Sequence, residues 1–279
     1  MSSEASRVPS DLDQFATGLR HQFRFYLRTR RVYGLLGFVL LVVVAFVAVS
    51  IVKDNPGTSA TAYLSNSLAF VALFGVLIGA FIGGDAIAMD FGTSTGYFML
   101  VLPVRRRILL LARYVAALAV SVGLLAVFYG VILIGTTWFY GIAGVPWMLV
   151  AESFALAAVY AAAVLSVAFF FSSFFRSPAM SMITAVLVLF LGFDFADGIA
   201  QLAGIEPWFS ILYAGQVIGE VFTPLPHTVV QHIAVRPRTI VTVTTYNPYL
   251  GEGLGIMLAY IVIFLAISIW IYERKESKG

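Results

Sequence analysis

Long apolar runs alternate with short polar segments along most of the chain. A membrane-spanning helix needs about 20 consecutive, mostly apolar residues. Six runs meet this length, at residues 33–52, 67–88, 108–135, 148–175, 179–199 and 251–272. The third and fourth are long enough to tilt in a bilayer or to protrude from it. The pattern predicts an all-α integral membrane protein with six transmembrane helices.

Residues 10–31 are amphipathic. Arginines lie on one face and apolar side chains recur at helical spacing on the other, at Leu12, Phe15, Ala16, Leu19, Phe23, Tyr26 and Leu27. Ser10, followed three residues later by Asp13, is typical of a helix start. An arginine-rich amphipathic helix lies in the lipid headgroup region. We therefore expect an interfacial helix in contact with membrane lipid, as a simple anchor, as a docking surface, or as both.

Composition agrees with a membrane protein. Hydrophobic residues make up 61% of the chain and charged residues 11%. A soluble domain with that balance would have a continuous apolar surface. None of the six runs is followed by a soluble domain, so we expect a single transmembrane domain over residues 1–279.

Charge predicts the orientation. Fourteen of the 17 Lys and Arg residues lie on one side of the six runs. Positively charged loops stay in the cytoplasm, so both termini are expected there, in a plasma-membrane protein without a signal peptide. The formal net charge of +3 then reflects topology and does not indicate nucleic acid as a partner.

The loop between the second and third runs contains a further apolar segment. Residues Ser94 to Leu102 are too apolar for a free linker and too short to span a bilayer. Pro103 and three arginines at 105–107 follow. Such a segment indicates that a cytoplasmic partner docks against it.

The segment 200–250, on the opposite side, combines two patterns. Residues 207–222 are apolar but too short to span, which favours an interfacial or re-entrant helix. Val229 to Val235 and Thr239 to Thr245 are rich in β-branched residues and flank a turn that contains Pro237. We expect these two runs to pair as a small extracytoplasmic β-hairpin before the last span.

Four glycines cluster in the second run. Gly75, Gly79 and Gly83 are spaced four apart, and Gly84 follows. A stripe of small residues allows a second helix to approach closely. Packing within one subunit is favoured over a contact between two copies.

Ionisable residues near the membrane are few. Asp85, Glu152, Asp194 and Asp197 lie near span ends, where a solvated or capping role is favoured over transport or proton transfer. His227 and His232 are five residues apart on the expected hairpin, which is poor geometry for a shared metal ion. The chain has no cysteine, phosphate-binding loop or hydrolase motif. We therefore expect no catalytic, metal-binding or cofactor-binding site in this chain.

The loop at 87–113 resembles the first cytoplasmic loop of ABC-2 type transporter permeases. Matching positions are Asp90, Thr95, Met99, Leu100, Pro103, Arg106 and Arg113. The pattern departs at Ser94, where that family has glycine, and at Tyr97, where it has an acid. The motif covers about a tenth of the chain, whereas the six-span plan with an amphipathic N-terminal helix resembles the family over nearly the whole length.

The resemblance implies a non-catalytic permease subunit whose coupling helix docks on a separate ABC ATPase, which would bind ATP and Mg. It also implies a second permease copy, identical or related, and export of an apolar or amphipathic substrate. The partner-binding residues would be Asp90, Thr95, Tyr97, Phe98, Met99, Leu102, Pro103 and Arg106.

Three alternatives remain open at this stage. The same fold could serve maturation of, or delivery to, an extracytoplasmic partner. A membrane-embedded enzyme could use Asp194 and Asp197, although no acidic motif lies on a facing span. The chain could also be a purely structural scaffold.

Overall fold

The computed structural model describes residues 10–52, 57–89, 106–236 and 239–274, with the backbone alone at Arg106, 231–236 and 239–243. Its elements follow one another in this order: α1 (Asp11–Arg28), α2 (Arg30–Val52), α3 (Ala60–Leu68), α4 (Phe70–Gly83), α5 (Arg106–Tyr140), α6 (Trp147–Phe174), α7 (Pro178–Leu187), α8 (Phe193–Leu202), α9 (Ile211–Gly215), α10 (Val217–Glu220), β1 (Thr228–Arg236), β2 (Thr239–Tyr246) and α11 (Leu250–Arg274).

Six helical segments in the described part of the chain are long and apolar enough to cross a membrane, which confirms the all-α membrane fold. They are Arg30–Val52, Ala60–Gly83, Arg107–Tyr140, Trp147–Phe174, Pro178–Leu202 and Leu250–Arg274. The second differs most from the prediction of 67–88. It begins at Ala60, because Ser59 caps α3 by accepting a hydrogen bond from the Ala62 N–H at 3.2 Å. It ends at Gly83, and the chain then turns through Gly84 to Ile87.

Two spans are interrupted. α3 and α4 meet at Ala69, whose backbone remains in the right-handed helical region. α7 and α8 are joined by a π-helical turn at Val188–Gly192. Such turns insert one extra residue per turn and locally bend a helix.

The amphipathic helix α1 forms as expected. The Ser10 hydroxyl accepts the Asp13 N–H at 3.2 Å and donates to the Asp13 carboxylate at 2.6 Å. α1 packs along α5, and a Cβ on Gly18 would lie 3.3 Å from the Ala112 Cβ. The buried face includes Gln22 and Tyr26, whereas Leu12 and Phe23, which the sequence placed on the apolar face, are exposed.

The glycine stripe packs within the subunit. α6 is the most buried span, and α4 lies against it. A Cβ on Gly79 would lie 2.5 Å from the Val164 Cγ1, and Gly75 and Gly83 face Tyr160 and Ala168 in the same way. The stripe therefore packs against a helix of the same subunit, as the sequence predicted.

The β-hairpin is confirmed. β1 and β2 are antiparallel, with Val229 opposite Thr245 and Ala234 opposite Ile240, and the register shifts between Ala234 and Arg236. The hairpin leans on the end of α8, where the Tyr246 hydroxyl donates to the Gly204 carbonyl at 2.6 Å. An isolated hairpin is marginally stable in water, so this support is needed.

Candidate functional site

The coupling segment predicted from the sequence lies almost wholly outside the described residues. This holds for Asp90, Thr95, Tyr97, Phe98, Met99, Leu102 and Pro103, while the backbone of Arg106 begins α5. The structure does describe the two segments that carry this loop. We call them the entry stem (residues 84–89) and the exit stem (residues 106–113).

The entry stem is fixed to α6 through one serine. The Ser172 hydroxyl accepts hydrogen bonds from the backbone N–H of Ile87 at 2.8 Å and of Ala88 at 3.0 Å. All three residues are fully buried. Because buried N–H groups need a partner, Ser172 holds the chain where it leaves the helix.

The two stems are joined directly. The Arg113 guanidinium of α5 donates through Nη1 to the Ala86 carbonyl. Arg113 is the last basic position of the family-like pattern, and it is buried. A charged donor on a buried carbonyl is among the stronger hydrogen bonds. The sequence pattern singled out this arginine without indicating its partner.

The entry stem also bonds to the start of α2. Asp85 forms an ion pair and hydrogen bond with Arg31. The pair lies in a cavity of about 210 Å³ that is also lined by Tyr26, Phe81 and Met89. Only 8% of Asp85 is exposed. The expectation of a solvated or capping carboxylate is therefore wrong for Asp85, because the turn after α4 places it against the arginine where α1 and α2 join.

The exit stem is connected to the last span. Arg107 donates through Nε and Nη2 to the two carboxylate oxygens of Glu273, near the end of α11. A two-point arginine–carboxylate contact fixes orientation as well as distance. Since Arg107 is largely exposed, this pair contributes little to stability.

These contacts place α1, both stems and the end of α11 at one end of the molecule, the loop end. Asp197 lies elsewhere, in the middle of α8. It accepts a hydrogen bond from the Ser210 hydroxyl at 2.7 Å, and only 8% of it is exposed. The expectation of a solvated or capping role is wrong here too, because the segment after α8 folds back over it. Glu152 and Asp194 are exposed on the protein surface.

A second polar cluster lies at the end opposite to the loop end, which we call the hairpin end. Glu206, His227 and Glu252 meet there, with ligand atoms within 4.8 Å of one another. The Tyr213 hydroxyl donates to Glu206 at 2.6 Å, and this bond keeps the Glu206 pKa below its usual range. Sequence reasoning missed this group, since it tested His227 only against His232. The sequence did contain a signal for this cluster, namely the two acids that flank the hairpin, Glu206 and Glu252.

The sequence profile of the ABC-2 family transporter proteins matches residues 19–277, nearly the whole chain. This chain belongs to the ABC-2 family of transporter proteins. It is a multi-pass membrane permease subunit of an ABC transporter. A search of curated proteins gives no match.

Proposed function

We propose that this ABC-2 permease is half of an ATP-driven exporter, and that the loop at 90–106 couples it to a separate ATPase subunit. One observation carries the proposal. The two stems of the loop bond to α2, α6 and α11, and to each other through α5, so that both ends of the loop are anchored in spans.

This anchoring matters for transmission of force. A rigid element fixed to several spans passes on a rigid-body movement, whereas a loosely attached loop would absorb it. ATP binding in the partner can shift the conformation of the spans only through a contact that differs between the two states. The anchored loop is the element suited to make that contact.

The loop end is the cytoplasmic end in this proposal. Arginines are concentrated there, on α1, at Arg106 and Arg107, and at Arg113, and positively charged segments remain in the cytoplasm. The chain is then a plasma-membrane protein whose residues 10 and 274 both face the cytoplasm. The exposed Leu12 and Phe23 of α1 lie in the lipid headgroup region.

The complete transporter has two permease copies, identical or related, and two ATPase subunits. ATP and Mg belong to the ATPase, since this chain has no phosphate-binding loop. The substrate class is apolar or amphipathic, and it leaves the cell.

A second candidate function is delivery to an extracytoplasmic partner. The β-hairpin favours it, because a two-stranded sheet has free edges that another chain can extend. In that case ATP-driven movement of the spans would act on a protein bound at the hairpin end.

The coupling proposal is tested at Phe98 and Met99, which would be the apolar anchors in the ATPase cleft. Replacing each by Ala is expected to cost about 1–3 kcal/mol of association free energy. The measurement is co-purification of the ATPase with tagged permease from native membranes, together with ATP hydrolysis by the complex. The permease alone should hydrolyse no ATP.

The matched control is Phe195→Ala, an exposed phenylalanine on α8 far from the loop. It should leave ATPase association unchanged. Thermal unfolding of each permease variant separates docking from folding. Equal losses of ATPase association and permease stability would mean that the loop residues only pack beneath their own spans. Unchanged assembly and unchanged transport would reject the coupling role.

A further inference from the structure

Three residues with metal-binding side chains come together at the hairpin end from three separate elements. Glu206 lies in the segment after α8, His227 directly precedes β1, and Glu252 lies in the first turn of α11. Their ligand atoms are all within 4.8 Å of one another, and the His227 Nε2 is 3.5 Å from the Glu206 Oε1.

The His227 ring is held by groups outside this triad. Its Nδ1 is 2.7 Å from the Asn247 backbone carbonyl. A carbonyl can only accept, so Nδ1 carries the proton, and in the neutral ring the Nε2 lone pair points towards Glu206. The Tyr249 ring stacks on His227 with centroids 4.5 Å apart. A metal-binding histidine is typically oriented in this way, by a hydrogen bond from its other nitrogen.

The cluster favours a positive charge at its centre. An imidazole nitrogen and two carboxylate groups repel one another at these distances, and a metal ion or a shared proton between them removes this repulsion. The Tyr213 hydroxyl donates to Glu206 at 2.6 Å and lies 3.5 Å from Glu252, so it orients both carboxylates.

The spacing is suited to a small transition-metal ion. Zinc binds histidine nitrogen and carboxylate oxygen at about 2.0–2.2 Å, which places neighbouring ligands of a tetrahedral site about 3.3–3.6 Å apart. The His227–Glu206 distance of 3.5 Å already satisfies this. Magnesium and calcium prefer sites made of oxygen ligands alone. Zinc binds nitrogen and oxygen ligands together in a tetrahedral site, whereas copper and nickel prefer square-planar geometry.

We propose that Glu206, His227 and Glu252 bind a zinc ion, with water in the fourth position. The site is accessible to a metal ion, since about a quarter of the His227 side chain and 30% of the Glu206 side chain are exposed. The bound ion ties the segment after α8, the base of the hairpin and the last span together. It thereby fixes the hairpin end to the transmembrane helices. This proposal does not depend on the proposed transport function.

The test uses the full chain purified without a histidine tag and stripped with a chelator. Zinc at about a hundredfold excess over its Kd is expected to raise the Tm by about 5–10 °C, with one ion bound per chain in calorimetric titration. Cobalt in place of zinc should give the visible absorption bands of a tetrahedral site. Magnesium and calcium should do neither.

His227→Ala is expected to weaken zinc binding at least about 10-fold and to remove the Tm shift. The control is His21→Ala, on the exposed face of α1 at the other end of the molecule, which should bind zinc like the wild type. Glu252→Gln provides a second variant in case His227→Ala misfolds. Wild-type protein without zinc-dependent stabilisation, or variants of both site residues that bind as tightly as the wild type, would overturn the proposal.

Discussion

Two neighbouring serines in α6 differ in what depends on them. Ser172 accepts two backbone N–H groups from the entry stem, 85 and 84 residues away in sequence. Among the described residues, Ser173 donates to the Phe170 carbonyl of its own helix, at 2.7 Å, and holds no distant segment. Both are fully buried. Position in the sequence gives no hint of this difference, because the two side chains are distinguished only by the helix face they occupy.

Ser172→Ala should therefore destabilise the permease, while Ser173→Ala should have little effect. Removal of the Ser172 hydroxyl leaves two buried N–H groups without an acceptor, at about 1–3 kcal/mol each. Thermal unfolding in detergent measures the difference between the two variants. In the assembled transporter, Ser172→Ala should also lower transport per ATP hydrolysed. Equal stability of the two variants would show that the entry stem does not depend on Ser172.

Contacts between elements explain why the second and fourth spans pack so closely. The glycines of α4 lie against α6 with no space for a side chain, and a Cβ on Gly79 would lie 2.5 Å from the Val164 Cγ1. Inside a bilayer the hydrophobic effect does not drive two helices together. Close van der Waals packing, which small residues allow, stabilises the contact instead.

Gly79→Val should force α4 and α6 apart and cost about 1–3 kcal/mol of unfolding free energy. Gly37→Val is the matched control, because no other part of the described structure lies within 4 Å of a Cβ at this exposed position of α2. The expected result is a lower Tm for Gly79→Val alone. A similar Tm loss for both variants would point to helix propensity and not to packing.

The whole molecule has two chemically different ends. The loop end contains α1, both stems, Arg31 and Glu273. The hairpin end contains the Glu206–His227–Glu252 cluster. We propose that the loop end lies in the cytoplasm and the hairpin end outside, because arginine is concentrated at the loop end.

Single cysteines test this assignment, since the native chain has none. Ser94→Cys should react with a membrane-impermeant thiol reagent only from the cytoplasmic side. Thr228→Cys, at an exposed position of β1, should react only from outside. Labelling is measured in intact cells and in inverted membrane vesicles. Reaction of both cysteines from the same side would disprove the topology.

The sequence by itself determined the features that depend on local pattern. Six apolar runs, the Ser10-capped amphipathic helix and the paired β-branched runs each need only neighbouring residues to be recognised, because helix and strand periodicity repeat over a few positions. The glycine stripe belongs here too, since its spacing implied a close helix contact. The family-like pattern at 90–113 identified Arg113, although its other proposed docking residues lie outside the described part of the chain.

Only the tertiary structure decided which polar residues meet. Asp85 and Asp197 are buried, against the expectation from their places near span ends, because Arg31 and Ser210 fold back onto them. Ser172 reaches the entry stem, and Glu206, His227 and Glu252 converge across 46 residues of sequence. Pairings over such separations leave no periodic trace, since they are set by how the spans pack against one another and not by the order of residues along any one of them.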